Sequence, residues 1–461
     1  MSTLLHRFRA VILLSILSFA FFTRMFNLNN PETYIFDEVY HAVTAKLIAQ
    51  NDPRAYEWWN PAPEPNTAVD WLHPPLAKYF QAASILAFGE NSFGWRFSSV
   101  IFGVLVILMT YHLAYRLFNN STIALLSAAI ASLDGLLLVQ SRIAMNDIHV
   151  TFFILFTLYT YLVYRQTNSI AKLFLTGCAA GLALASKWSG LFVLGSIGLF
   201  EVFSALKIFF IEYSNTEFLR KEWWFKVLRW IGLRVLILAI IPAVLYITGY
   251  THMFLQGKGW AHLKELHNQI WWYQTHLDAT HTYQSRPLEW FLNIRPVWMH
   301  VQYLDQARAD IYAFGNPVLF LIGAATVFST LIHFCLRTYE FFASTSRKTM
   351  QVFAKKILQH ATTMVATNSL IFLTISYFAV WLPWQLSPRI MFFYHYTPAV
   401  PLLCILMSYW LYLVGKKQPF IYYLVLGTIA LAFAVWYPHW VAIPVTTEFA
   451  DAIYFALPQW K

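Results

Sequence analysis

Charged residues are scarce in this sequence: only 12% of its 461 residues are Asp, Glu, Lys or Arg, against roughly 25% in ordinary soluble domains. That scarcity argues against a water-soluble fold. Cysteine is nearly absent, and Cys178, Cys335 and Cys404 each sit inside an apolar stretch with neither metal-ligand spacing nor a pairing pattern, so they read as packing residues. Neither G-x-x-x-x-G-K-[ST] nor G-x-G-x-x-G occurs, which disfavours a nucleotide-dependent reaction. No D-x-D occurs either, so the acidic pattern commonly used to hold a metal and a nucleotide sugar is missing.

What is present is apolar and aromatic. Hydrophobic residues make up 58% of the chain, and runs such as VILLSILSFAFF and VLILAIIPAVLYITGY are at or near the length that crosses a hydrocarbon core of roughly 30 Å. Many of the Trp and Tyr residues lie at the ends of these runs, as interfacial belts do. The opening HRFRAVILLSILSFAFF resembles a signal peptide but is followed by no small-x-small cleavage site, so a retained first span is expected. Hydropathy gives about eleven candidate spans, near residues 9–26, 96–117, 121–139, 147–165, 170–186, 189–206, 230–250, 314–336, 368–384, 394–415 and 419–437. The expected fold class is an all-α polytopic membrane protein forming one integral membrane unit over 1–461, with no internal repeat and no separate soluble domain.

The formal charge of +10 has a topological explanation. Alternating sides puts Arg7, Arg9, Arg116, Arg165, Lys172, the segments 207–229 and 337–356, and Lys416 with Lys417 on one face, which is therefore read as cytoplasmic together with the N-terminus. No nucleic-acid partner is expected. The other face receives two long connections, 27–95 and 251–313, together with the short turns around Arg142, Lys187 and Arg389; the two connections hold 13 of the 22 carboxylates and 8 of the 15 histidines. Connections of that length tend to carry function.

The first connection contains YIFDEVYHAVTAKLIAQ, where Val39, Ala42, Val43 and Leu47 recur at helical spacing and suggest an amphipathic helix on the membrane surface. Asp37 and Glu38 fall in its first turn, where the helix dipole favours an ionised carboxylate: either a base or a plain capping pair. DWLHPPLAKYF sets His73 before two prolines and brings Lys78 in one turn later, so both could face one cavity, or could be a solvent-facing histidine and a snorkelling lysine. LDGLLLVQSRIAMNDI places Asp134 within a span and Arg142, Asn146 and Asp147 at its mouth, Arg142 and Asp147 being a possible ion pair. Lys187 stands between two short spans, and PWQLSPRIMFFYHYTP holds Arg389, His395 and Tyr396 together. Cations converging on one face are what a lipid-linked phosphate needs. A sugar phosphate lipid fits, because cations can neutralise its departing phosphate and only the incoming alcohol needs a base.

With these residues in view, the sequence resembles the prokaryotic protein O-mannosyltransferases, of the clan of type C glycosyltransferases that use polyprenyl phosphate sugars. FDEVYH is similar to the family's Asp-Glu motif, WLHPPLAKYF to its His-Pro-Pro-Leu-Ala-Lys segment, and SKWSGLF to its Ser-Lys-Trp-x-Gly-Leu segment. VQSRIAMND resembles its Ser-Arg segment, with Asn146 where Leu is usual. HTYQSRPLEWFLNIRPVW resembles the run ending in Arg-Pro-Val-Trp, and FFYHYTPAVP the Tyr-His-Tyr-x-Pro-Ala element.

The resemblance implies Asp37 as catalytic base with Glu38 beside it as organiser, and Arg142, Lys187, Arg295 and Arg389 around the donor phosphate. His73, Lys78, Asp147, His395 and Tyr396 complete the implied substrate site. It implies no cofactor and no metal, a polyprenyl phosphate mannose donor, an exported Ser/Thr-containing protein as acceptor, and a place in a bacterial plasma membrane with the site on its extracytoplasmic face. The chain has none of the β-trefoil insertion of eukaryotic members. Related aminoarabinose transferases usually carry Lys before the two prolines, so His73 favours a protein acceptor over a lipid or polysaccharide. A transporter is the competing class, since buried charges among spans also line translocation pathways.

Overall fold

The computed structural model describes residues 2–213, 221–344 and 368–461; of the basic segments, 214–220 and 345–356 lie outside the described residues. Among the described residues, nine helices are long and apolar enough to cross a membrane, and Ser121–Ser132 and Ile170–Ser186 are shorter apolar helices. The chain is a multi-pass membrane protein.

In chain order the helices begin with α1 (Ser2–Met25), α2 (Glu38–Ala49), α3 (Leu76–Phe88), α4 (Ser92–Phe118) and α5 (Ser121–Ser132), followed by α6 (Gly135–Gln140), α7 (Asp147–Thr167) and α8 (Ile170–Ser186). The expected span at 121–139 is thus broken. Asp134 is the reason: its Oδ1 accepts from the Leu137 N–H at 2.8 Å and caps α6, while Oδ2 accepts from the Asn316 N–H. A carboxylate within a span acts here as a helix start. Helix α8 carries glycines four residues apart, and a Cβ at Gly177 would stand 2.1 Å from the Ile237 carbonyl oxygen. Small residues at that spacing let two helix backbones approach where lipid offers no hydrophobic drive.

The first long connection folds back onto the bundle. Helix α2 buries Glu38, His41, Ala42, Val43, Thr44, Ala45, Leu47 and Ile48 and packs on α3, which packs on α4. It is enclosed on most of its sides, a correction to the expectation of a helix lying on the membrane surface. The second connection holds the helix Trp260–His276 and two strands absent from the all-α reading, β1 (Val297–Tyr303) and β2 (Ala307–Ala313), paired antiparallel. A third short strand, β3 (Val445–Thr446), adds to β2. The core runs through α4, α5, α7 and the helix Val400–Lys417, and the site sits where both connections meet the bundle.

Candidate active site

Asp37 and Glu38 are neighbours with opposite surroundings. Glu38 is fully buried, and Arg96 on α4 donates to it from Nε (2.9 Å) and Nη2 (2.8 Å). The backbone N–H groups of Ile35 and Ala144 each donate to it at 3.0 Å. Every lone pair that a carboxylate offers is engaged, and Arg96 spends its remaining N–H groups on the carbonyls of Leu28, Pro31 and Thr33. This is an organiser: it fastens the chain before α2 to α4 and to the turn before α7.

Asp37 occupies the N-cap position of α2 without making a side-chain cap, so the capping alternative does not describe it. Phe36 just before it has φ +47°, a left-handed backbone that is rare for a bulky residue. Among the described residues, Asp37's nearest side-chain donor is the Tyr394 hydroxyl, 3.5 Å from Oδ2, and no cation lies within ion-pair distance. Burial pushes its carboxyl up to about 6, with His41 opposing that rise. A carboxylate with few partners and a raised pKa is suited to taking a proton near neutral pH.

Asp37 lines a cavity of about 420 Å³ together with His41, Asp70, His73, Lys187, Tyr273, Arg389, Tyr394 and His395. Lys187 reaches Asp147 at 2.8 and 3.0 Å, so Asp147 pairs with Lys187 and not with Arg142. Arg389 donates from Nη1 to the Gln274 amide oxygen at 2.5 Å and has no carboxylate partner among the described residues. It also lines a second cavity of about 400 Å³, shared with Arg286, Arg295, Asp278 and Glu289. Arg295 therefore lines the neighbouring cavity, which shares Leu277, Arg389 and Ile390 with the Asp37 cavity.

Three expected site residues sit elsewhere. Arg142 lines neither cavity: it donates to the carbonyls of Arg24 and Phe26 at 2.6 Å each and of Asn27 at 3.2 Å, closing the C-terminus of α1, whose last carbonyls lack helical partners. Lys78 is buried, with its ammonium 2.7 Å from Asp70 Oδ2 and 3.2 Å from the His73 carbonyl oxygen; it holds the His73 loop from behind. Tyr396 is packed in the core against Tyr377. The tyrosine facing Asp37 is Tyr394, the other member of the same Tyr-His-Tyr element.

Sequence reasoning also passed over Asp70, His41 and Arg96. Asp70 Oδ1 lies 2.9 Å from His73 Nδ1 and Oδ2 lies 2.8 Å from His41 Nδ1. Burial by itself raises the Asp70 carboxyl, but the electrostatic pull of His73, the Lys78 ammonium and His41 outweighs it and holds the carboxyl well below the usual range. Burial also pushes the His73 imidazole down to about 4, against the pull of Asp70. The ligand-type atoms of His41, Asp70 and His73 come within 4.8 Å of one another, close enough for a metal. Both Nδ1 atoms already stand against Asp70, and the Lys78 ammonium on the same carboxylate would repel a divalent cation, so the cluster is built as an ion pair flanked by two imidazoles, of which His73 is hydrogen-bonded to the carboxylate. The signal was legible in DWLHPPLAK: a buried lysine needs a counter-charge, and Asp70 is the carboxylate in that segment.

The family model described as dolichyl-phosphate-mannose-protein mannosyltransferase matches residues 14–255, and the model of the C-terminal four-span region of protein O-mannosyltransferases matches 259–454. The chain is 26% identical to the polyprenol-phosphate-mannose–protein mannosyltransferase of Corynebacterium glutamicum, over 85% of this chain and 80% of that one. It is 25% identical to the protein of the same name from Mycolicibacterium smegmatis, over 61% and 62%. In fold it is similar to the Saccharomyces cerevisiae protein O-mannosyltransferase Pmt1-Pmt2 complex bound to the sugar donor, with a TM-score of 0.75 at 13% identity over 96% of this chain and 91% of that chain. It is also similar in fold to ArnT of Cupriavidus metallidurans bound to undecaprenyl phosphate, with a TM-score of 0.56 at 13% identity over 92% and 63%. The two family models between them take in most of the sequence, and the chain belongs to the dolichyl-phosphate-mannose-protein mannosyltransferase family.

Proposed function

We propose that this chain transfers a mannosyl residue from a polyprenyl phosphate lipid to Ser or Thr hydroxyls of exported proteins, on the extracytoplasmic face of a bacterial plasma membrane, with the N-terminus cytoplasmic. The observation that carries the reading is a charge separation in one cavity: Asp37 is a carboxylate without a cationic partner, and Arg389 a guanidinium without an anionic one, among the described residues. A sugar phosphate and an alcohol supply the missing partners.

The acceptor oxygen attacks the anomeric carbon as Asp37 takes its proton. The bond from that carbon to the phosphate oxygen breaks, and the lipid phosphate leaves with the electron pair. Attack opposite the leaving group inverts the anomeric centre. Arg389, with the Lys187–Asp147 pair beside it, meets the phosphate charge, and Arg295 extends that cationic wall into the neighbouring cavity. The cavity draws on residues from Phe36 to His395, which supports treating 1–461 as one catalytic unit with 27–95 and 251–313 as its site-forming connections.

Membranes containing the protein are to be incubated with polyprenyl phosphate mannose labelled in the sugar. Label in acid-precipitated protein that survives lipid extraction is the expected result. Label confined to the lipid or polysaccharide fraction would replace the protein acceptor, and no transfer at all would reject the reading.

A further inference from the structure

His73 is held in a way the transfer reaction as written does not use. An ionised Asp70 can only accept hydrogen bonds, so the His73 nitrogen 2.9 Å and 3.1 Å from its two oxygens is the protonated one, Nδ1. The tautomer is thereby fixed, and Nε2 is left as an acceptor. Among the described residues Nε2 has no hydrogen-bond partner, yet the side chain is 21% exposed and lines the cavity that holds Asp37. The ring cannot swing away: Pro74 and Pro75 fix the backbone behind it, the Lys78 ammonium bonds both Asp70 and the His73 carbonyl, and the His41 ring lies 5.4 Å from its own. Lys78 and Asp70 already balance one another's charge. Nothing in the cluster calls for a cationic imidazole.

We propose that His73 is a sugar-recognising residue, its Nε2 accepting a hydrogen bond from a ring hydroxyl of the hexose carried on the lipid phosphate. This rests on the glycosyl-transfer reading above. The hexose, held for attack beside Asp37 in the cavity that His73 lines, presents several free hydroxyls there, whereas the acceptor alcohol has a single O–H proton, which Asp37 takes. Asp70 and Lys78 are positioning residues for this contact and touch no substrate. A site that hydrogen-bonds a substrate hydroxyl discriminates strongly against the analogue that lacks it, because the acceptor atom is then left unpaired.

The test uses the full chain in lipid nanodiscs, an acceptor peptide containing Thr, polyprenyl phosphate mannose and its 2-, 3-, 4- and 6-deoxy forms. The wild-type chain is expected to lose about tenfold in kcat/KM with one deoxy donor, the scale of one good hydrogen bond. His73→Asn keeps a polar atom near the Nδ1 position but none at Nε2. It is expected to lose a similar factor with the complete donor and nothing further with that one deoxy donor. His73→Gln, whose amide reaches the Nε2 position, is expected to recover part of the loss, and serves where the Asn variant folds poorly. An active wild type in which all four deoxy donors and His73→Asn act additively would overturn the proposal alone. So would a stoichiometric divalent metal in the purified wild type that is lost in His73→Asn. A wild type that transfers no sugar would overturn the parent reading with it.

Discussion

Arg96 closes on both oxygens of Glu38 at 2.9 and 2.8 Å while Asp37, one residue earlier, has its closest side-chain donor at 3.5 Å in Tyr394. Two adjacent carboxylates thereby have opposite surroundings, which predicts separate duties for them.

Substitution should separate these duties. Asp37→Asn is expected to fold normally and lose transfer by roughly a hundredfold or more, the scale of a lost general base. Glu38→Ala leaves Arg96 buried without its counter-charge, at a cost of about 3–5 kcal/mol, and should appear first as a lower Tm in detergent. Equal loss of Tm in both variants would contradict the division.

The pH dependence follows from the raised Asp37 carboxyl. The base form is needed, so transfer should rise with pH to a midpoint about 6 and then level off, falling roughly tenfold per unit well below it. The stability effect has the opposite sense. The folded pKa lies above the ordinary 3.8, so the fold binds this proton more tightly than the unfolded chain, and its contribution to stability declines as pH rises from about 4 to 6. At pH 7–8 the Asp37→Asn protein should melt at or above the wild-type temperature, the difference closing as pH falls toward 4.

The two arginines expected at the phosphate should part company. Arg389→Ala removes a cavity cation and is expected to weaken donor binding by about tenfold to a hundredfold, from the loss of charged hydrogen bonds, with Tm nearly unchanged. Arg142→Ala orphans the carbonyls of Arg24 and Phe26, so it should lower Tm while the folded fraction keeps the wild-type KM for donor. Titration with labelled donor and thermal unfolding distinguish the two.

The Lys187–Asp147 pair offers a further check. Asp147→Asn frees the Lys187 ammonium, which now spends itself on both Asp147 oxygens. The variant should bind the donor phosphate at least as tightly as wild type yet turn over more slowly, because an unrestrained ammonium also holds the departing lipid phosphate. Lys187→Ala should weaken donor binding. A matching loss in both variants would make the pair purely structural.

The sequence by itself determined the membrane class, most of the helices and the segments that line the Asp37 cavity. Hydrophobic run length and motif order are local properties, readable without knowing what touches what. It also singled out Asp37, His73, Lys187 and Arg389, which line one cavity in the structure. What it could not decide was which polar atom faces the cavity and which is consumed by the scaffold, since that depends on partners far along the chain. Arg96 meets Glu38 across 58 positions, Arg142 reaches the end of α1 across 118, and Tyr394 comes to Asp37 across 357. Tyr394 and Tyr396 are two residues apart on one short helical turn, Phe393–Ala399, so the backbone there sends one hydroxyl to the site and the other into the core. In a buried, low-dielectric interior each polar group must find a partner or face the cavity, and only the tertiary structure assigns those partners.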